Sequence, residues 1–278
     1  MTGTAVALTA AADPAAAVQT SSKGASFPVP TGGTGMRIQR LGWAAIKIEV
    51  GKTTVLIDPV LDQASLGGDT IVPIETSTEV KYVLVTHHHG DHYDPAAAKA
   101  HISKKGYVVC HRSMAPTVAS DGVRVRSVEL HEPIILRGGD ISVVAVEAVD
   151  GLGDPQVSWI VSGGGKRIIH GGDTLWHGYW WNFRMTYGPF DAAFLPINGV
   201  TVQSRFPFSE LPASMTPEQA VAAAKILGAK LLCPVHYGGS DPPTYVETEN
   251  QIERITSAAK RRDVNLRVLD PLEWLSIP

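Results

Sequence analysis

The sequence predicts an α/β domain in which two β-sheets pack together with helices on the outside. Strand-like runs crowd the first part of the chain, and strands alternate with helical patterns in the rest. No linker, repeat or charge block divides the chain after Met36, so residues 36–278 read as one domain. A chain of 278 residues is long enough to bury a large core.

In "MRIQRLGWAAIKIEVGKTTVLIDP", residues 36–59, apolar positions alternate through "AIKIEV", Gly51 and Lys52 supply a turn, and "TTVLID" runs β-branched into Asp58 and Pro59. These are signs of successive antiparallel strands. Residues 82–85, "YVLV", form a short unbroken apolar run, the pattern of a strand covered on both faces. Asp94 is placed to N-cap a helix with Pro95 at its first position, and "AAAKAHISKKG" carries that helix to a stop at Gly106. "YVVC" follows as a strand. "ISVVAVEAV" and "VSWIVSGGGKRIIHGGD" give a strand and then a hairpin turning on three glycines, and "FDAAFLPI" gives a further buried strand. "MTPEQAVAAAKILGAK" opens on a capping box, Thr216 to Gln219 with Pro217 between, and stays helical to Gly228. "LLCPV" is a strand ending at His236, residues 247–262 form the last helix, and "LRVLD" is the last strand.

Composition excludes several functions. A net charge of −3, with 18% charged residues, offers no basic field for a polyanion, so a small-molecule substrate is expected and nucleic acid is not. No apolar run approaches the length of a spanning helix, so membrane insertion is not expected. Cys110 and Cys233 are far apart in strand-like runs and read as core residues. Residues 1–35 are Ala-rich and nearly uncharged. They read either as the remnant of an export signal whose basic start lies upstream or as a flexible tail, so the protein is exported or cytoplasmic accordingly.

The chemistry concentrates in "THHHGDHYD", residues 86–94, directly after the apolar strand. Residues two apart in an extended segment share a face, so His87 and His89 point towards one metal ion together, while Asp91 and His92 fall where the chain turns and reach a second. Imidazole and carboxylate are the ligands expected for Zn²⁺, Mn²⁺ or Fe. One loop seldom completes such a site. Asp173 in "IIHGGDTLW" and His236 in "LLCPVHYGG" stand at strand ends beside paired glycines and are the further candidates. His101, His111, His131 and His170 belong to no motif and read as ordinary structural residues.

With "THHHGDH", "GGDT" and "PVHYGG" in hand, the sequence resembles the metallo-β-lactamase superfamily. "LGWAAIKIEVGKTTVLIDPVL", "YGPFDAAFLPING" and "MTPEQAVAAAKILGAKLLCPVHYG" are similar to the branch containing bacterial ascorbate-6-phosphate lactonases and the N-acyl-phosphatidylethanolamine-hydrolysing phospholipase D. The resemblance covers residues 36–278. It implies a four-layer αββα sandwich of two mixed sheets flanked by helices. It also implies a two-metal hydrolase acting on an ester, lactone or phosphodiester through a metal-bound hydroxide. Asp173 would bridge the ions, Asp91 would bind the second ion and orient the water or take its proton, and His92 and His236 would complete that site. The family usually places a third His of the first site where this chain has "VVAVEAVDGLGD", and the counterpart here is Asp150. Asp150 reads either as a ligand, which would make the site more anionic and more tolerant of Mn²⁺ or Fe, or as the first residue of an Asp-Gly turn. In the second case a non-catalytic metal-binding or ligand-binding module is the alternative function.

Two stretches could shape a substrate pocket. The aromatic run "LWHGYWWNFRMTYGPF", with His177 and Arg184, reads as pocket wall or as core. "SRFPFSELPASM" reads as a surface loop over the site.

Overall fold

The computed structural model describes residues 29–30, 35–60 and 80–277. The Ala-rich segment lies almost wholly outside them. In chain order the strands and helices are β1 (Met36–Gly42), β2 (Ala45–Val50), β3 (Thr53–Ile57), β4 (Val80–Leu84), α1 (Pro95–His101), β5 (Val108–His111), α2 (Ala115–Ser120), β6 (Val125–Val128), β7 (Ile134–Ile135) and β8 (Ile141–Glu147). They continue as β9 (Val157–Gly163), β10 (Lys166–His170), α3 (Trp180–Tyr187), β11 (Ala192–Pro196), β12 (Thr201–Val202), α4 (Pro217–Leu227), β13 (Leu232–Val235), β14 (Tyr245–Val246), α5 (Gln251–Arg262) and β15 (Trp274–Ile277).

Among the described residues, seven strands form one sheet in the order β15-β1-β2-β3-β4-β5-β6, and six form a second in the order β13-β11-β10-β9-β8-β7. Both are mixed. In the first, β1 to β3 pair antiparallel and β3 to β6 pair parallel; in the second, β7 to β10 pair antiparallel while β10, β11 and β13 pair parallel. The expected αββα sandwich of two sheets between helices is therefore the observed fold.

Strand alternation builds the layers. Along β8, Val143 and Ala145 enter the core between the sheets, while Val144 and Val146 enter a second core beneath the helices. Trp159 of β9 fills the inter-sheet core, and its indole N–H donates to the Val85 carbonyl at 3.0 Å, tying β9 to the strand that leads into the His-rich loop. Helix α4 starts with the predicted capping box, Thr216 and Gln219 each bonding the other's backbone, and ends at Gly228 in the left-handed conformation (φ 65°). Such a cap contributes about 1 kcal/mol. Ala220, Val221, Ala224 and Leu227 of α4 are buried against the second sheet.

Three boundaries differ from the sequence reading. Helix α1 ends at His101, because Ile102 is already extended. Gly106 serves another need: a Cβ there would lie 1.7 Å from the Lys81 carbonyl oxygen, so the glycine permits close approach of two backbones rather than stopping a helix. Helix α5 starts at Gln251, because Asn250 before it is in the left-handed conformation (φ 54°); upstream, Tyr245 and Val246 pair with Val202 and Thr201 in a small separate ladder. "LRVLD" belongs to neither sheet. It crosses from the second sheet, where Leu266 bridges Leu232, to the first, where the Leu269 carbonyl accepts from Arg40, and the last strand is β15.

Candidate metal centre

The candidate ligands stand where strands end. β4 runs into the His-rich loop, β8 leads to Asp150, β10 leads through Gly171 and Gly172 to Asp173, and β13 ends just before His236. Gly172 has φ 68°, and a Cβ there would meet Gln156 at 3.0 Å and Thr86 at 3.2 Å, so only glycine lets Asp173 approach the loop.

The side chains gather in two groups. His87, His89, Asp150 and Asp173 place ligand-type atoms within 4.8 Å of one another, and Asp91, His92 and His236 do the same. His87 Nε2 lies 2.9 Å from His89 Nδ1 and 3.5 Å from Asp173 Oδ2, and His89 Nδ1 lies 3.7 Å from Asp150 Oδ2. Asp91 Oδ2 lies 3.4 Å from His92 Nε2 and 3.5 Å from His236 Nε2. All seven residues singled out from the sequence are brought together, Asp150 included.

Hydrogen bonds behind the rings decide which nitrogens carry protons. The buried Asp58 carboxylate accepts from the Thr86 backbone N–H at 2.8 Å, the Thr86 hydroxyl at 2.6 Å and His92 Nδ1–H at 2.9 Å. Because the Thr86 hydroxyl donates to Asp58, it accepts from His87 Nδ1–H at 3.0 Å. His89 Nε2–H donates to Asp154 at 2.9 Å. In neutral rings this leaves His87 Nε2, His89 Nδ1 and His92 Nε2 as the nitrogens that present lone pairs to the groups.

At 2.9 Å, His87 Nε2 and His89 Nδ1 need a proton or a cation between them. Asp150 Oδ2, Asp173 Oδ1, His92 Nε2 and both nitrogens of His236 are buried without hydrogen-bond partners. Leaving such atoms unpaired is costly. A divalent cation in each group would partner Asp150 Oδ2, Asp173, His92 Nε2 and His236 Nε2 and offset the close His87–His89 contact, so the residues present fit metal ions.

Charge at the site points the same way. Burial works to raise the pKa of Asp91, but His92 and His236 outweigh it and hold the carboxyl well below its ordinary value. Burial works to lower that of His92, but Asp91 and Asp58 outweigh it and hold the imidazole well above. Asp173 is likewise kept ionised against burial by His87, His92 and His236. The site stabilises positive charge among ionised carboxylates. Trp43, Asp58 and His236 adopt positive φ values of 44°, 49° and 55°, a conformation that costs a non-glycine residue roughly 1 kcal/mol or more and that gathers at functional sites.

Both groups face a cavity of about 380 Å³ walled by His89, Asp91, Asp150 and Asp173 on one side and by Leu152, Val200, Val202, Ala213 and Tyr245 on the other. Sequence reasoning missed Asp58, Thr86, Asp154 and Tyr245, as well as Trp43, whose indole N–H donates to Asp91 at 3.0 Å while its ring covers His236. One signal was there to see, an aspartate ending the β-branched strand "TTVLI", which is buried throughout. The aromatic run divides: Trp180, Phe183, Tyr187 and Phe190 are buried core, His177 stacks on Trp180, Tyr179 and Trp181 are exposed, and none of residues 175–190 lines this cavity. His170 is structural, its Nε2–H donating to the Ala44 carbonyl at 2.8 Å.

Residues 53–237 match the family model of the beta-lactamase superfamily domain. The chain belongs to that superfamily. It is 30% identical over 215 residues to a UPF0173 metal-dependent hydrolase of Thermococcus kodakarensis, a match covering 74% of this chain and 87% of that protein. It is 29% identical over 252 residues to another of Thermus thermophilus, covering 87% of this chain and 99% of that one. Among solved structures, a metallo hydrolase of Ignicoccus hospitalis superposes with a TM-score of 0.67 at 20% identity, over 88% of this chain and 99% of that chain, which is a likeness of fold. The chain is a metal-dependent hydrolase. No helix of the described residues is long and apolar enough to cross a membrane.

Proposed function

We propose that this enzyme hydrolyses an ester, lactone or phosphodiester of a small molecule with two divalent cations, Zn²⁺ being the best match to the ligand set and Mn²⁺ or Fe the alternatives. The observation that carries this reading is the pair of His/Asp groups opening on one cavity. His87, His89 and Asp150 would hold one ion and Asp91, His92 and His236 the other. Asp173 lies beside His87 and feels His92 and His236, so it is the residue placed to serve both. Bound cations supply Lewis acidity, polarising a carbonyl or phosphoryl oxygen and acidifying water.

The protein's own groups do the rest. Asp91, kept ionised, accepts a hydrogen bond from the attacking water and orients it. Tyr245 receives the Asn198 amide N–H at 2.9 Å, which leaves its own O–H proton free. Burial raises the phenol's pKa, so it stays protonated. On the cavity wall it is placed to donate to the substrate oxygen on which negative charge grows.

The test is turnover of p-nitrophenyl acetate, γ-butyrolactone and bis(p-nitrophenyl) phosphate by Zn²⁺- or Mn²⁺-reconstituted protein. At least one should be hydrolysed, chelator should stop the reaction, and Tyr245→Phe should lower kcat/KM by about 10²-fold. Absence of turnover with all three refutes the reading, and an unchanged Tyr245→Phe variant refutes the role of the phenol.

A further inference from the structure

Beside the catalytic cavity lies a second one of about 400 Å³, and the two share Gly151, Leu152, Val202 and Ala213. At their common floor the backbones touch: a Cβ on Gly151 would come within 2.0 Å of the Ala213 carbonyl oxygen, so the floor carries no side chain there. The far walls are Leu175, Pro207, Phe208, Leu211 and Pro212. Among the described residues no acidic side chain lines this groove, and its one cation, Arg205, is already paired with Asp154. Phe206, Phe208 and Leu211 are 94%, 49% and 74% exposed within six residues of chain. One exposed apolar side chain is ordinary; two on the wall of this groove, Phe208 and Leu211, with Phe206 next to them in the chain, mark a surface that something covers.

We infer that this groove holds an uncharged apolar chain attached to the scissile group, making the substrate an ester or phosphodiester with an extended apolar substituent. The inference rests on the hydrolase reading above. Its geometry follows from continuity. The shared residues join this space to the reacting centre, so a substituent on a scissile bond beside Asp91 and Asp173 reaches it. The cavity bearing the His/Asp groups then selects the reacting group and the groove selects its substituent.

The test is kcat/KM for p-nitrophenyl esters from acetate to octanoate and for matching alkyl p-nitrophenyl phosphodiesters. Each methylene should raise it roughly two- to fourfold. The rise should flatten in the Phe208→Ser/Leu211→Ser double variant and persist in Met185→Ser, an exposed apolar control on α3 away from the groove. A flat wild-type profile, or an unchanged rise in the double variant, overturns the assignment. A flat profile with binding to neutral phosphatidylcholine vesicles instead gives the loop to a lipid surface and also overturns it. If no compound in either series turns over, the hydrolase reading fails, and fluorescence of the neutral probe 1-aminoanthracene decides the groove. Binding by wild type that is lost in the double variant supports the groove, and no binding overturns it.

Discussion

Replacing Asp173 with alanine is expected to lower hydrolytic kcat by roughly 10³-fold or more. Asp173 sits beside both His/Asp groups, with Oδ2 3.5 Å from His87 Nε2 and Oδ1 buried without a partner. Its loss removes the carboxylate that the proposed function assigns to both cations and takes from His87 the anion beside its Nε2. The loss should fall on kcat and on cation content together, while the circular dichroism spectrum stays native, because Asp173 follows Gly171 and Gly172 outside β10. Steady-state kinetics and elemental analysis check this. A variant with full cation content and kcat within tenfold of wild type would contradict it.

Asp58→Asn should be nearly as damaging for a different reason. Asp58 touches no substrate cavity, yet its carboxylate receives three donors, and an amide can replace only one of its two oxygens without presenting N–H. If the amide nitrogen takes the place of Oδ2, the Thr86 hydroxyl must accept from it and turn its own proton towards His87 Nδ1. His92 Nδ1 must accept as well. Both rings then carry their protons on Nε2, so one atom change caps a ligand nitrogen in each group. Cation affinity should fall by about 10- to 100-fold with the fold retained. Asp58→Ala instead leaves the donors buried and unpaired, at roughly 1–3 kcal/mol for each group, and should lower Tm by roughly 10 °C. Metal titration followed by calorimetry separates the two variants. Wild-type affinity in Asp58→Asn would show that Asp58 does not set the tautomers.

How much of this was legible in the sequence depended on whether a feature is local. The His-rich loop, the Gly-flanked Asp173 and the strand-end His236 could be read from neighbours in the chain, as could the capping box of α4. The layers were legible because alternating residues of β8 bury on both faces. Asp58 was not, because its role comes from the parallel register of β3 and β4. Pairing Ile57 with Leu84 sets Asp58 beside Thr86, 28 residues away. Tyr245 needs the β12–β14 ladder to reach the cavity, and Asp154 becomes the partner of His89 only once the turn after Asp150 folds. There Asp150 Oδ1 accepts the N–H groups of Leu152 and Asp154 at 2.7 and 3.1 Å. Asp150 is thus the head of an Asp-Gly turn and a member of the first group at once, so the two readings of this residue are compatible. Helix α1 and "LRVLD" were misjudged because a backbone contact and a crossing between sheets override local propensity.

The central claim is a two-cation centre in which Asp150 stands with His87 and His89. Cation content per chain, by elemental analysis of wild type and Asp150→Ala purified without chelator, tests it most directly. Wild type should carry two equivalents, falling to one or none in the variant; one equivalent in both proteins, or two in both, would overturn the two-cation centre.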